Sequence, residues 1–332
     1  MYMRVLRNDE IPVDKWIELL KRSPYASPFQ TPEFYKLFNS VTGISAQSIG
    51  VEEGDELISL IVVTLQKESG LKGLFSKRAI IYGGPLIDHY RPDALEILLK
   101  NISCNLPDNP IYIESRNLSD YNSFKDIFIG CGFQYKPWLN FRIETSDPNR
   151  VKTNMSSSRL RQIRKAIKTG VKWEEANDIN EVKIFYRMLS GLYKNKIARP
   201  LLPEEFFLKF FESGLGKYLL VWFNNSIIGG IMCPILKEKA IYELYICGLD
   251  EEYKEQYPSV IATWAAIEYA FHSNIPVFDF MGAGSPDEEY GVREFKARFG
   301  GDLFEFGRYI RISNPLLYSL GKLGIKASGL FR

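Results

Sequence analysis

The sequence predicts an α+β protein built from two copies of one mixed unit, each a β-sheet flanked by helices. The first observation is an order of hydrophobic patterns that occurs in both halves: three strand-like runs, a helix, a strand, a helix and a strand. The second is length, since 332 residues at roughly 150 per domain make two domains. The third is a shared ending: Gly132 and Gly301 precede the last strand of each copy, and Arg142-Ile143 and Arg311-Ile312 follow at the same offset.

In the first copy, Ala46 to Val51 breaks at an acidic turn, resumes at Leu57 to Leu65, and returns after a basic loop as Arg78 to Leu86. An amphipathic helix Pro92 to Ile102, a strand Ile111 to Glu114, a helix near Tyr121 to Ile129 and a strand Phe133 to Ile143 complete it. In the second copy the strands are Tyr218 to Phe223, Ile227 to Leu236 and Ile241 to Cys247, parted by Asn224-Asn225 and Lys237-Glu238-Lys239. Pro258 opens a helix to Phe271, Val277 to Met281 is a buried strand, Tyr290 to Phe299 is helical, and Leu303 to Ile312 is the last strand. Helices precede each copy: Pro32 to Asn39 in the first, and Ser158 to Thr169, Glu181 to Lys194 and Pro203 to Glu212 in the second. The expected domains are 1–149 and 150–312. A tail, 313–332, carries Leu316, Leu317, Leu320 and Leu323 at helical spacing and is expected to pack back on the first domain.

Composition excludes several classes. Forty-two Lys and Arg against 40 Asp and Glu leave +2 overall, so any site for a polyanion must be a local patch. Four cysteines and two histidines form no zinc-like spacing, so no metal site is expected. No apolar run has the length of a membrane span, and the expected location is the cytoplasm. Gly282-Ala-Gly284 and Gly214-Leu-Gly-Lys217 each lack residues that a nucleotide loop requires.

Two segments can carry chemistry. From Arg150 to Lys172 stand Arg150, Lys152, Arg159, Arg161, Arg164, Lys165, Lys168 and Lys172, with no acidic residue between them. Leu160, Ile163 and Ile167 predict a buried stripe along that helix, and Ser156 to Ser158 its N-cap. The cationic face suits the phosphates of a tRNA, a nucleotide diphosphate or a coenzyme, with a merely solvated basic face as the alternative. The second is Tyr290 to Gly301, where Val292, Phe295 and Phe299 form a stripe flanked by Arg293 and Lys296. A lysine there can face a developing oxyanion, as acyl transfer requires, or simply face solvent.

The segments SSSRLRQIRKAIKTGV, YPSVIATWAAIEYA, FDFMGAG and GVREFKARFGGDLFEFG together resemble the Fem-type aminoacyltransferases and their GNAT-like relatives. The resemblance covers nearly the whole chain. It implies two tandem GNAT-like (acyl-CoA N-acyltransferase) domains, no metal or cofactor, and transfer of an amino acid from aminoacyl-tRNA to an amino group of a peptidoglycan precursor, nucleotide- or lipid-linked. Peripheral contact with a membrane-bound substrate follows from the second of these forms. The family's Phe-Lys pair falls on Phe295 and Lys296, the lysine stabilising the transition state. Its precursor-contacting segment resembles FQTPEFYKLF, which selects Lys36 with Gln30, and its Gly-Pro strand resembles IYGGPLID, which adds Tyr82 and Gly84. Lys196 and Tyr257 join the substrate residues. Arg159, Arg161, Arg164, Lys165, Lys168 and Arg293 are the expected tRNA or phosphate contacts. Where the family carries a Thr- and Arg-rich segment, this chain has Lys194, Lys196 and Arg199, and it lacks the long coiled-coil arm of some members.

Two other functions stay open from sequence. One is a GNAT-type enzyme with an acyl-CoA donor acting on a sugar or polysaccharide precursor, against which the loop EEYKEQYPS lacks the glycines that grip a pyrophosphate at a helix N-terminus. The other is a binding module without catalysis. If Lys296 serves only charge stabilisation, Lys296→Ala should lower turnover with little effect on thermal stability.

Overall fold

The computed structural model of the chain describes residues 2–67, 76–104, 106–197, 200–288 and 290–321. Arg199 and Leu323 lie outside them. The chain forms two units, one of Met1–Pro137 with Phe306–Arg332 and one of Trp138–Glu305.

The first unit comprises β1 (Met3–Arg7), α1 (Val13–Arg22), α2 (Pro32–Ser40), β2 (Ile44–Glu53), β3 (Glu56–Gln66), β4 (Arg78–Gly83), β5 (Leu86–Ile87), α3 (Pro92–Cys104), β6 (Tyr112–Asn117), α4 (Lys125–Gly130) and β7 (Gln134–Lys136), with β16 (Arg308–Ile312) from the end of the chain. Its sheet runs β1-β2-β3-β4-β6-β16-β7, with β5 paired to β3. β4 and β6 are parallel, as their separation by the helical crossover α3 requires. α3 buries Leu95, Leu98, Leu99 and Ile102 in one core with Val63, Ala79, Ile81 and Ile113. α2 starts where Thr31 accepts the Phe34 N–H and Pro32 fills the first turn, and it buries Phe34, Leu37 and Phe38.

The second unit comprises β8 (Leu139–Glu144), α5 (Pro148–Asn154), α6 (Ser157–Lys168), β9 (Lys172–Glu175), α7 (Ile179–Asn195), α8 (Glu204–Ser213), β10 (Gly216–Phe223), β11 (Ser226–Leu236), β12 (Ala240–Tyr242), β13 (Tyr245–Gly248), α9 (Pro258–His272), β14 (Val277–Asp279), α10 (Gly291–Ala297) and β15 (Asp302–Glu305). Its sheet runs β15-β8-β14-β12-β11-β10-β9, with β13 paired to β11. α9 is apolar on nearly every side because its alanines, Ala262, Ala265, Ala266 and Ala270, let it settle into the core.

Four expected strands are each two strands, Arg78 to Leu86 being β4 and β5. Phe133 to Ile143 divides at Pro137, which has no N–H for a ladder, into β7 in one sheet and β8 in the other. Leu303 to Ile312 divides at Gly307, whose φ of +65° suits glycine, into β15 and β16, again in different sheets. Ile241 to Cys247 likewise divides into β12 and β13. The divisions placed at 149/150 and 312/313 therefore move: β8 belongs to the second unit and β16 to the first. Residues 315–321 of the tail are helical, and Tyr318 meets the Tyr112 ring edge-on in the first unit.

β16 is fixed among its neighbours by Tyr309, fully buried and stacked 3.9 Å from Phe128, and by Arg308, which donates to Glu114 on β6 at 2.9 Å. Arg116 holds the other Glu114 oxygen at 2.8 Å. Burial alone would raise the Glu114 carboxyl, but the two guanidiniums outweigh it and hold it at about 2, below its ordinary 4.5. A carboxyl so lowered stabilises the fold above its unfolded value and loses that contribution as pH falls towards 2. The stability gap between wild type and Glu114→Gln, read by urea unfolding, should shrink by on the order of 3 kcal/mol between pH 6 and about 2. A gap that stays constant would show that Arg116 and Arg308 do not hold the carboxylate.

Candidate active site

The second sheet forks beside β14. β12 and β14 run parallel with Ile241 opposite Phe278 and Tyr242 opposite Asp279, and the Glu243 N–H closes the pairing on the Asp279 carbonyl at 2.9 Å. Beyond that bond β13 stays with β11, while the chain after Asp279 follows β8: Phe280 N–H donates to Phe141 O at 3.1 Å and Ala283 N–H to Leu139 O at 2.7 Å.

Lys296 spans this fork. Its ammonium donates to the carbonyls of Phe280 and Gly282, each at 2.8 Å, and pairs with Glu243 Oε1 at 2.8 Å. Those three acceptors match the three protons of an ammonium. Only 7% of Lys296 is exposed and 6% of Glu243, whose second oxygen, Oε2, has no partner among the described residues. Burial raises the Glu243 carboxyl and outweighs the attraction of Lys296. Lys296 is thus neither a surface lysine nor free of structural work.

Phe295 and Arg159 form the adjoining cluster. Arg159, expected on the cationic face, is buried instead: its guanidinium lies 4.4 Å from the ring centres of both Phe295 and Phe299 and donates to Phe295 O at 2.9 Å. Burial, with the like charge of Arg298, pushes it down to about 10. The apolar stripes are rotated accordingly, since α6 buries Arg159, Ile163 and Ala166, and both Ile167 and Val292 are exposed. Arg293 fastens the loop after β14, donating to Ala283 O at 3.0 Å, Glu288 O at 3.0 Å and Ser285 O.

Arg161, Arg164 and Lys168 stand exposed on α6. Lys165 is paired with Glu255 and lies 5.9 Å from the Tyr257 ring, and Lys196 is paired with Glu251, so these three expected site residues gather on the acidic loop before α9. Tyr257 takes φ +48° as α9 begins. Pro258 has no N–H to offer there, and the Ser259 N–H donates to Asp250 Oδ1 at 3.1 Å while its hydroxyl donates to Asp250 Oδ2.

In the first unit Gln30 is fully buried and works on the backbone: its amide donates to Gly84 O at 2.5 Å and its Oε1 accepts the Ser27 N–H at 2.7 Å. Gly84 takes φ +85° against the Tyr121 ring, where a Cβ would lie 2.6 Å from the hydroxyl. Tyr82 is half-buried between Phe29 and Phe38 with the Arg116 guanidinium 5.5 Å from its ring. Lys36 is exposed on α2. Sequence reasoning missed Glu243, Asp250 and the Glu114 cluster. One signal was available for two of them: a single carboxylate inside an otherwise apolar strand run, as in IYELYIC and IYIES, marks a charge that must be paired if buried.

No group of three metal-ligating side chains occurs among the described residues, and no described helix is long and apolar enough to cross a membrane.

The forked sheet and the twice-repeated unit order define a tandem GNAT-like fold. Residues 232–324 match the model of the FemAB family. Among solved structures, FemX shares the fold at a TM-score of 0.71 and 15% identity over 96% of this chain and 99% of that one. A tandem GNAT protein from the clavulanic acid biosynthesis pathway does so at 0.59 and 9%, over 95% and 99%. L-PGS from Bacillus licheniformis does so at 0.58 and 10%, over 94% and 96%. No curated protein matches the chain in sequence. The FemAB match thus falls on the C-terminal part of a chain whose fold is that of tandem GNAT proteins.

Because Lys296 closes a buried pair and two carbonyls, Lys296→Ala is now expected to destabilise the second unit, contrary to the reading from sequence. Removing one partner of such a pair costs about 3–5 kcal/mol. Urea unfolding of Lys296→Ala, and of Lys296→Met with Glu243→Gln, should show a large loss in the first and recovery of most of it in the second. Equal stability of Lys296→Ala and wild type would contradict the buried pair.

Proposed function

We propose that the protein transfers an amino acid from aminoacyl-tRNA to an amino group of a peptidoglycan precursor peptide, in the cytoplasm and without a metal or cofactor. The acceptor's neutral amine attacks the ester carbonyl, the C–N bond forms, the ester C–O bond breaks, and the terminal ribose hydroxyl leaves with the proton the amine gives up. The substrate itself relays that proton. Lys296 supplies positive charge at the oxyanion, exchanging its half-buried bond to Gly282 O for the developing charge, while the bond to Phe280 O and the Glu243 pair hold it in place. Phe295 and Arg159 wall that position. Arg161, Arg164, Lys168 and Lys165 receive the tRNA backbone. Lys36, Tyr82 and Gly84 take the acceptor, with Gln30 as support.

The observation that supports this donor over acyl-CoA lies at the start of α9. A pyrophosphate binds at a helix N-terminus through free N–H groups and the positive end of the helix dipole. Here the first N–H is absent at Pro258 and the second is taken by the Asp250 carboxylate, with Glu251, Glu252 and Glu255 beside it. A second negative group is repelled from that position.

A mass-shift assay tests the reading. Peptidoglycan precursors offered charged total tRNA should gain an amino-acid increment and gain nothing from acetyl-CoA. An acetyl increment would move the protein to the CoA-dependent class, and no increment from either would leave it a binding module. Changing Arg161, Arg164 and Lys168 together to Gln should weaken tRNA binding and reduce the slope of log affinity against log salt by about 2–3. An unaltered slope would exclude α6 as the phosphate contact.

A further inference from the structure

The turn on which Lys296 rests is held in a conformation that Met281 disfavours. Met281 takes φ +55° and Gly282 φ +133°, and a left-handed non-glycine residue persists only where its surroundings fix it. Asp279, fully buried, accepts the Met281 N–H on Oδ1 at 2.7 Å. Asn140 donates to the same oxygen at 2.8 Å and accepts the Gly282 N–H on its own Oδ1 at 2.7 Å. Arg142 Nε donates to Asp279 Oδ2 at 2.6 Å. On the opposite side of the turn, the Phe280 and Gly282 carbonyls face the Lys296 ammonium.

We propose that Asn140 and Arg142, through Asp279, are positioning residues that hold the Met281-Gly282 turn so that two carbonyls fix the Lys296 ammonium. Both come from β8, which lies outside the segment that matches the FemAB family and ahead of the boundary that sequence places at 150. The lysine centre of the second unit therefore depends on a strand encoded in the first half of the chain. The role of these residues in transfer rests on the proposed function; their hold on Lys296 does not.

The test reads Lys296 directly. Full-length protein is treated with a limiting amount of an amine-acetylating ester, and acetylation of Lys296 is measured by peptide mass spectrometry against exposed Lys168. In wild type Lys296 should be protected. Asn140→Ala, which removes one hydrogen bond from the turn and one from Asp279, should raise its labelling by about tenfold, and Arg142→Gln should raise it less. Met281→Gly added to Asn140→Ala should restore protection, because glycine accepts the left-handed backbone without the clamp. Leu219→Ala, a core truncation on β10, controls for general loosening. Unchanged labelling in Asn140→Ala, or an equal rise in Leu219→Ala, would overturn the inference. If wild type transfers amino acids, Asn140→Ala should lower kcat with the acceptor KM little changed. If wild type transfers none, the proposed function fails and the labelling still decides the positioning role.

Discussion

Backbone pairing in the two sheets is the constraint on which the rest of the structure depends. Interior strands need partners on both edges, because an unpaired N–H or C=O costs free energy when buried and leaves a sticky edge when exposed. In the first sheet β16 fills the place between β6 and β7, and in the second β8 fills the place between β14 and β15. Each is encoded beside the strands of the other unit. The pairing is long-range in the extreme: the Arg308 to Glu114 bond joins residues 194 apart. Closing such contacts requires most of the chain to be ordered, so neither half can complete its sheet from its own strands.

That exchange also explains what sequence could and could not show. Alternation and turn residues were enough to find β2, β3, β4, β10 and β11, and Pro258 marked the start of α9. The shared Arg142-Ile143 and Arg311-Ile312 signature does belong to equivalent strands, β8 and β16, but pattern carries no information about which sheet a strand joins. Pro137 and Gly307 were visible as breakers. Their consequence, a chain that leaves one sheet and enters the other, needed the topology. β1 and β9 escaped notice because they are short and only half-buried, so neither shows a clean alternation.

The candidate site was legible in residue type and not in environment. Lys296 stands on a seven-residue helix with charged neighbours, which in sequence looks like a solvent-facing position. Burial comes from the fork between β13 and the 280–284 turn, a feature made by three strands far apart in the chain. Arg159 shows the same limit in reverse. Its place in a cationic run suggests solvent, yet two phenylalanine rings and the Phe295 carbonyl enclose it, and Ile167 takes the exposed place instead. A period of hydrophobicity fixes the helix, but an arginine stacked on aromatic rings can fill a core face as well as an isoleucine can.

The charges of the second unit sort themselves by this same competition between burial and pairing. Lys296 is buried and must be paired, so Glu243 is retained although burial raises its carboxyl. Such a pair adds little net stability compared with apolar packing, while loss of either partner alone is costly. On the surface the acidic loop before α9 takes Lys165 and Lys196 and caps the helix through Asp250. Exposed pairs of this kind are worth at most about 1 kcal/mol and yield readily to a competing phosphate. The helix cap is a different case, because its carboxylate already makes the two bonds that an incoming anion would need. The cationic face of α6 therefore stays exposed while the N-terminus of α9 is already occupied by its own carboxylate, and the proposal of a donor whose phosphates lie along an extended backbone rests on that asymmetry.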